Sequence, residues 1–143
     1  MKTNVRHRVS VVVVDGDHLL GFRAEDPQSK RGYFFIPGGK IENDESALAA
    51  AVRETLEETG YSIEVLSIPA IERIYDFEWD GQLHECHTLF VCGRLLNKHP
   101  KTVQDAAYHQ GVVWLPLAEI DSVLAYHKDI MEPVQLLVAQ LKK

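Results

Sequence analysis

A nearly unbroken β-branched run, Val9-Ser10-Val11-Val12-Val13-Val14, lacks the alternation of a strand with one wet face. It predicts a strand central in a sheet and covered on both sides. Asp15-Gly16-Asp17 supplies a hairpin turn, and residues 18–23 the returning strand. The polar stretch 25–32 is rich in turn formers and predicts a loop, and residues 33–36 predict a short strand ended by Pro37. Next, the period becomes helical. At 100° per residue Leu48, Val52, Thr55 and Leu56 share one side, enough to dock a helix on a sheet. Asn43 or Asp44 is placed to cap this helix, with Glu45 at its start, and Gly60 is placed to end it. Strands follow at 61–66, 71–77 and 84–93, the last two joined by a turn at Trp79-Asp80-Gly81-Gln82. A polar loop spans 97–110, a strand 112–117 and a short helix 117–120. Pro133 suits the first turn of a last helix with an apolar stripe of Val134, Leu137, Val138 and Leu141. The pattern predicts an α/β fold with helices packed on the faces of a mixed sheet. The length of 143 residues fits one domain over 1–143.

The mid-chain helix carries an electrostatic oddity. Glu54, Glu57 and Glu58 gather opposite its apolar side, at the i, i+3, i+4 spacing that makes side chains neighbours. Like charges so placed cost roughly 0.2–0.5 kcal/mol a pair on an exposed helix. They also crowd the C-terminal end, where the helix dipole prefers cations. Only Arg53 is near enough to offset them. A multivalent cation reverses both penalties, and clustered carboxylate oxygens suit Mg²⁺ or Mn²⁺ better than zinc. A solvated acidic face is the competing reading of the helix taken alone. Upstream, Gly38-Gly39 reads as a glycine turn that lets the backbone approach a ligand and offer a carbonyl or amide to a metal or phosphate.

Gly39, five residues, Glu45, seven residues, then Arg53-Glu54-Thr55-Leu56-Glu57-Glu58-Thr59-Gly60-Tyr61 resembles the Nudix box, GX5EX7REUXEEXGU, with U a bulky aliphatic. Every fixed letter is present at its spacing; Thr55 and Tyr61 depart from the two U positions. The resemblance covers residues 39–61. It implies the Nudix α/β/α sandwich and a Mg²⁺- or Mn²⁺-dependent pyrophosphohydrolase that cleaves a nucleoside diphosphate linked to another moiety, nucleoside triphosphates included. It also implies that Glu54, Glu57 and Glu58, with the Gly38 carbonyl, hold the metal, while Glu45 and Arg53 support them by hydrogen bonding. Glu54 or Glu57 would orient or deprotonate the attacking water. Arg23, Gly39 and Lys40 are the substrate-binding candidates; Lys30 and Arg31 are further cations that could meet phosphate or a base, against a reading as solvated surface. A residue of the downstream loop often serves Nudix catalysis. That loop has no Glu here, which leaves Asp105 or His109 as substitutes. His84 and His87 face opposite sides of their strand, a poor spacing for one metal. Glu85 shares a face with His87. Tyr75 or Trp79 could stack on a base. An ADP-ribose or nucleotide-sugar hydrolase, a sensing domain without turnover, and a module that binds a basic partner through the acidic face are the rival readings.

A net charge of −6 leaves no basic excess to neutralise a polyanion, which argues against a stable nucleic-acid complex or anionic-membrane binding. A small phosphorylated substrate stays compatible, since cations can accompany it. The resemblance makes a homodimer possible without marking an interface. Cys86 and Cys92 occur without zinc spacing and read as buried free thiols, suited to a reducing cytosol. With no signal-like N-terminus and no apolar run of about 20 residues, a cytoplasmic protein is expected.

Overall fold

The valine run lies where its lack of alternation requires, inside a strand with neighbours on both edges. A computed structural model describes residues 2–103 and 107–143, with the backbone alone at 2 and 3; Asp105 lies outside the described residues. Strand β1 (Lys2–Asp15) runs parallel to β7 (Gln82–Leu95), with Val9 opposite Leu89 and Val13 opposite Gly93. Its other edge carries the short antiparallel strand β4 (Gly38–Lys40). The far edge of β7 is shared by β6 (Ile71–Trp79) and β5 (Ile63–Val65). The turn at Gly16 leads from β1 into β2 (His18–Glu25), which pairs with β3 (Gly32–Phe35) on one side and β8 (His109–Pro116) on the other.

Alternation along β1 then assigns the helices. Val9, Val11 and Val13 face helix α1 (Ala47–Thr59) together with Val91 and Ile63. Val12 faces the opposite layer with Phe90, Cys92, Phe34 and Leu115. That layer is closed by α2 (Ile120–Val123), which follows a 3₁₀ turn at Leu117–Glu119, and by α3 (Lys128–Leu141), through Ile120, Leu124, Val134 and Leu137. The result is an α/β/α sandwich. Both cysteines are buried free thiols, as expected.

Four expectations need correction. Helix α1 docks through Ala50 and Ala51, both 0% exposed, and through Thr55 and Thr59, whereas Leu48 is 52% and Val52 36% exposed. The small side chains let the helix axis lie close to β1. The two buried hydroxyls are satisfied within the helix, Thr55 donating to the Ala51 carbonyl at 2.7 Å and Thr59 to the Thr55 carbonyl at 2.6 Å. The cap is Ser46, whose Oγ accepts from the Ala49 N–H at 3.0 Å. Asn43 and Asp44 lie instead in a turn, with Asp44 at φ 65°, so Glu45 belongs to the loop and not to the helix. Gly38 and Gly39 form a strand opposite Ser10 and Val9 where a turn was expected. Helix α3 starts at Lys128 behind a His127 cap, which places Pro133 in its second turn.

Because α1 sits on alanines, Ala51→Leu should overpack the interface and destabilise by about 1–3 kcal/mol. Leu48→Ala should change stability by less than about 0.5 kcal/mol. Urea denaturation measures both, and equal losses would contradict this docking.

Candidate active site

The last two turns of α1 press against β4. A Cβ built on Gly39 would lie 1.6 Å from Glu54 Oε2, and one on Gly38 would lie 2.4 Å from the Val9 carbonyl. The Val9 carbonyl is fixed backbone, so only glycine fits at 38, whereas a side chain at 39 would displace the Glu54 carboxylate from its place against the strand. The Gly38 N–H donates to Glu58 Oε1 at 2.8 Å, so the amide, not the carbonyl, is the Gly38 group that touches the acidic set.

Arg53 organises three of the four carboxylates. Its Nε and Nη2 reach the two oxygens of Glu45 at 2.7 and 3.0 Å, a bidentate pair. Its Nη1 donates to Glu54 at 2.9 Å and to Glu57 at 2.8 Å, and Nη2 also reaches the Lys40 carbonyl at 3.1 Å. Glu45 can make this contact because it stands in the loop before the cap. The Arg53 guanidinium holds the Glu45 carboxyl down at about 2. Arg53 itself is pushed further up, chiefly by Glu45.

Glu58 is the carboxylate Arg53 does not reach. Burial pushes its carboxyl up to about 8; the Gly38 N–H and Arg8 pull the other way, while Glu54 adds to the rise. Glu54 is also raised, by burial first and against the pull of Arg53. The penalties expected along this helix therefore fall unequally. Glu57 is exposed and shared with Arg53, and Glu58 carries its charge into the interior.

A divalent cation fits this donor set in kind: hard carboxylate oxygens from one helix, one of them buried with a single N–H donor. Among the described residues no three acidic, histidine or cysteine side chains converge as a ready metal cage. Glu54, Glu57 and Glu58 are the side chains that would hold such an ion, which would supply positive charge at this end of the helix.

Glu58 and Gly38 lie at the edge of a cavity of about 430 Å³. Its floor is the face of β1 opposite α1, with Arg6, Arg8 and Ser10. Its walls are aromatic: Tyr75, Phe77 and Trp79 from β6, Phe22 and Phe35 from the β2–β3 ribbon, and Tyr126. Arg6 and Arg8 escaped the sequence reading, which began this strand at Val9. The signal was the alternation Arg6-His7-Arg8-Val9-Ser10, which continues the strand period outward.

The remaining candidates separate. Tyr75 and Trp79 both line the cavity, Tyr75 with its hydroxyl 3.0 Å from Thr88 Oγ1. His109 stacks on Phe22 with centroids 4.6 Å apart. Its Nδ1 accepts from the Gly111 N–H at 3.1 Å, so Nε2 is the nitrogen that donates to the Glu58 backbone carbonyl at 2.8 Å. It therefore holds the end of α1. Glu85 pairs with His87 at 2.7 Å on the α1 side of the sheet, whereas His84 and Cys86 line the cavity on the other. Lys40 is exposed, and only its carbonyl joins the Arg53 network. Arg23 does not point toward the glycine pair; it lies in a second groove with Arg31.

Asp26 was also missed. Its buried carboxylate accepts from the N–H groups of Gln28 at 2.9 Å, Ser29 at 3.2 Å and Asp80 at 3.2 Å. It thereby ties the 26–31 loop to the turn that carries Trp79 at the cavity wall. Burial pushes the Asp26 carboxyl up, but these donors together bring it below its ordinary value.

Comparison with known proteins agrees with this geometry. The NUDIX domain model matches residues 5–136. An RNA pyrophosphohydrolase of Dinoroseobacter shibae is 27% identical over 149 residues, covering 90% of this chain and 88% of that protein. The structure of a MutT protein from Methanosarcina mazei Go1 superposes with a TM-score of 0.70 at 19% identity, covering 100% of this chain and 99% of the other. A NUDIX hydrolase from Nitrosomonas europaea gives 0.68 at 24% identity, covering 94% and 89%. The chain belongs to the NUDIX family. It is a Nudix hydrolase, an enzyme acting on phosphorus-containing anhydrides.

The Asp26 contact has a definite pH signature. A carboxyl lowered in the folded state stabilises fully above its unfolded value near 4, and that contribution is lost as pH falls through the folded value. Asp26→Asn should therefore lower Tm at pH 7, by the equivalent of about 1–3 kcal/mol, and the gap to wild type should close on acidification below about pH 4. A gap independent of pH would remove the charge from this role.

Proposed function

We propose that this chain is a divalent-cation-dependent pyrophosphohydrolase that cleaves the diphosphate of a nucleoside diphosphate linked to another moiety. The observation that carries the reading is the placement of Glu58, whose carboxylate stands where the acidic end of α1 meets an aromatic cavity floored by two arginines. Aromatic walls suit a base, since every base has a π-face to stack. Arg6 and Arg8 suit phosphate oxygens, which guanidinium groups bind in bidentate fashion. Net charge thus understates the site, because the basic groups are gathered on one strand.

In this scheme Glu54, Glu57 and Glu58 hold Mg²⁺ or Mn²⁺. When bound, the cation supplies charge neutralisation at the diphosphate and acidifies a water ligand. Glu54 or Glu57 orients or deprotonates the attacking water. Arg53 holds both in reach and is itself fixed by Glu45. Gly39 leaves room for the Glu54 carboxylate, and His109 anchors the carbonyl end of the Glu58 turn. Attack at phosphorus yields a monophosphate and a second phosphorylated product. The names of the relatives fit this class, among them the RNA pyrophosphohydrolase of D. shibae and solved structures described as an ADP compounds hydrolase and a C. elegans Ap4A hydrolase. Intact Glu54, Glu57 and Glu58 speak against a sensing domain without turnover. Two unpaired thiols at Cys86 and Cys92 favour a reducing compartment, in keeping with a cytoplasmic site of action.

Glu57→Gln and Glu58→Gln should each reduce phosphate release from a panel of nucleotides by at least about 100-fold, the scale of losing a group that acts in the transition state, while Tm stays near wild type. Undiminished turnover in both variants would sink the assignment. Millimolar Mg²⁺ or Mn²⁺ should raise Tm in a chelator-reversible way, with saturation at about 100 times Kd corresponding to about 2.7 kcal/mol. No shift with either ion, even beside a diphosphate ligand, would remove the cation from the scheme.

A further inference from the structure

The second groove is not used by the scheme above. It has a volume of about 620 Å³ and lies beside the β2–β3 ribbon, where Arg23 and Phe34 are on the face opposite Phe22 and Phe35 and Tyr33 reaches it from their own face. Arg23, Arg31, Gln110 and Ser122 give it its polar lining, Tyr33 and Tyr126 its aromatic one, and among the described residues no Asp or Glu lines it. In a chain with a net charge of −6 this is a local reversal of sign.

Three features show a built site. First, among the described residues neither guanidinium forms an ion pair or hydrogen bond with a carboxylate; the Arg31 guanidinium instead lies over the Tyr33 ring, 5.0 Å from its centroid. Such a contact holds the fork in place while leaving its N–H donors unspent. Second, the register of β2 against β8 shifts between Arg23 and Ala24. The extra residue is Gln110 on β8, and a bulge of this kind re-aims its side chain. The residue opposite Arg23 is Gly111, where even an added Cβ would meet nothing within 4 Å, so the space beside Arg23 is open. Third, Tyr126 lines both the groove and the aromatic cavity, its hydroxyl donating to the Phe34 carbonyl at 3.0 Å. One ring separates the two spaces.

We propose that the groove is a second anion site, in which Arg23 and Arg31 bind a phosphoryl group of a nucleotide apart from the diphosphate cleaved at Glu58. Two guanidiniums that meet no carboxylate among the described residues, beside a hydroxyl and an amide, suit a phosphate monoester or diester. That phosphate can belong to the substrate itself, its chain continuing past Tyr126, or to a separate phosphorylated ligand. The first source rests on the pyrophosphohydrolase reading; the site does not.

The test uses the full chain in chelator, titrated with inorganic phosphate and followed by ¹H–¹⁵N amide shifts. Shifts at Gly32, Gln110, Gly111 and Ser122 that saturate, and whose Kd rises at least about tenfold in the Arg23→Gln/Arg31→Gln double variant, are the expected result; tenfold matches the loss of about one charge-assisted contact. Shifts absent, unchanged in the variant, or confined to Arg8 and Gly38 would overturn the proposal. Both side chains are exposed, and an unchanged Tm confirms that the variant folds. A kinetic arm separates the sources by comparing the KM for a 5′-triphosphorylated dinucleotide with that for a nucleoside triphosphate. A ratio that rises about tenfold in the variant assigns the groove to the substrate. An unchanged ratio alongside lost phosphate binding assigns it to a separate ligand. If wild type turns over neither substrate, the hydrolase reading fails while the phosphate titration still decides the groove.

Discussion

The closeness of one edge strand to one helix governs this structure. Between β4 and the end of α1 a Cβ on Gly39 would strike the Glu54 carboxylate, while β4 lies so close to β1 that one on Gly38 would strike the Val9 carbonyl; in this tight packing the Gly38 N–H reaches Glu58. Everything around the contact serves to keep it. Alanines at 50 and 51 lower the helix onto β1, Gly60 ends it at φ 80° with its N–H on the Leu56 carbonyl, and His109 takes the carbonyl of Glu58. Larger residues at these points would lift the helix and carry the carboxylates away from the cavity.

Charge is then distributed by depth. Near the surface, one guanidinium satisfies Glu45, Glu54 and Glu57 together. Deeper, among the described residues the Gly38 N–H and the field of Arg8 oppose the cost of burying Glu58. The aromatic cavity lowers the local polarity that would otherwise relieve it. The same aromatic wall therefore makes Glu58 demanding of positive charge, so cavity and acidic helix are coupled parts of one site.

Much of this was legible in the chain. The valine run gave the central strand because continuous apolar residues cannot face water, and the spacing from Gly39 to Tyr61 gave the acidic helix and its glycine partner. Glu45 was placed at the helix start, yet a direct contact with Arg53 required it in the loop, and Ser46 as the cap puts it there. The docking face was misread because Leu48 and Val52 look like the apolar stripe. Amphipathicity reports which residues are greasy, whereas close packing selects small ones, and Thr55 and Thr59 hide their polarity by bonding back along the helix. Arg6 and Arg8 were missed because the strand was begun at Val9, though the alternation before it continues the strand. Asp26 was missed for a different reason: its importance lies in the Asp80 N–H it accepts from, 54 residues along the chain, which local pattern does not encode.

The Arg53 network has a bearing on how the protein reaches its native state. A helix that bears three glutamates toward its negative pole would be hard to form on those charges alone. By lying among Glu45, Glu54 and Glu57, Arg53 acts as a built-in counter-ion, so newly made chain can form this helix end with its charges already opposed. Any other cation drawn to Glu54 or Glu57 must therefore compete with an arginine already in residence.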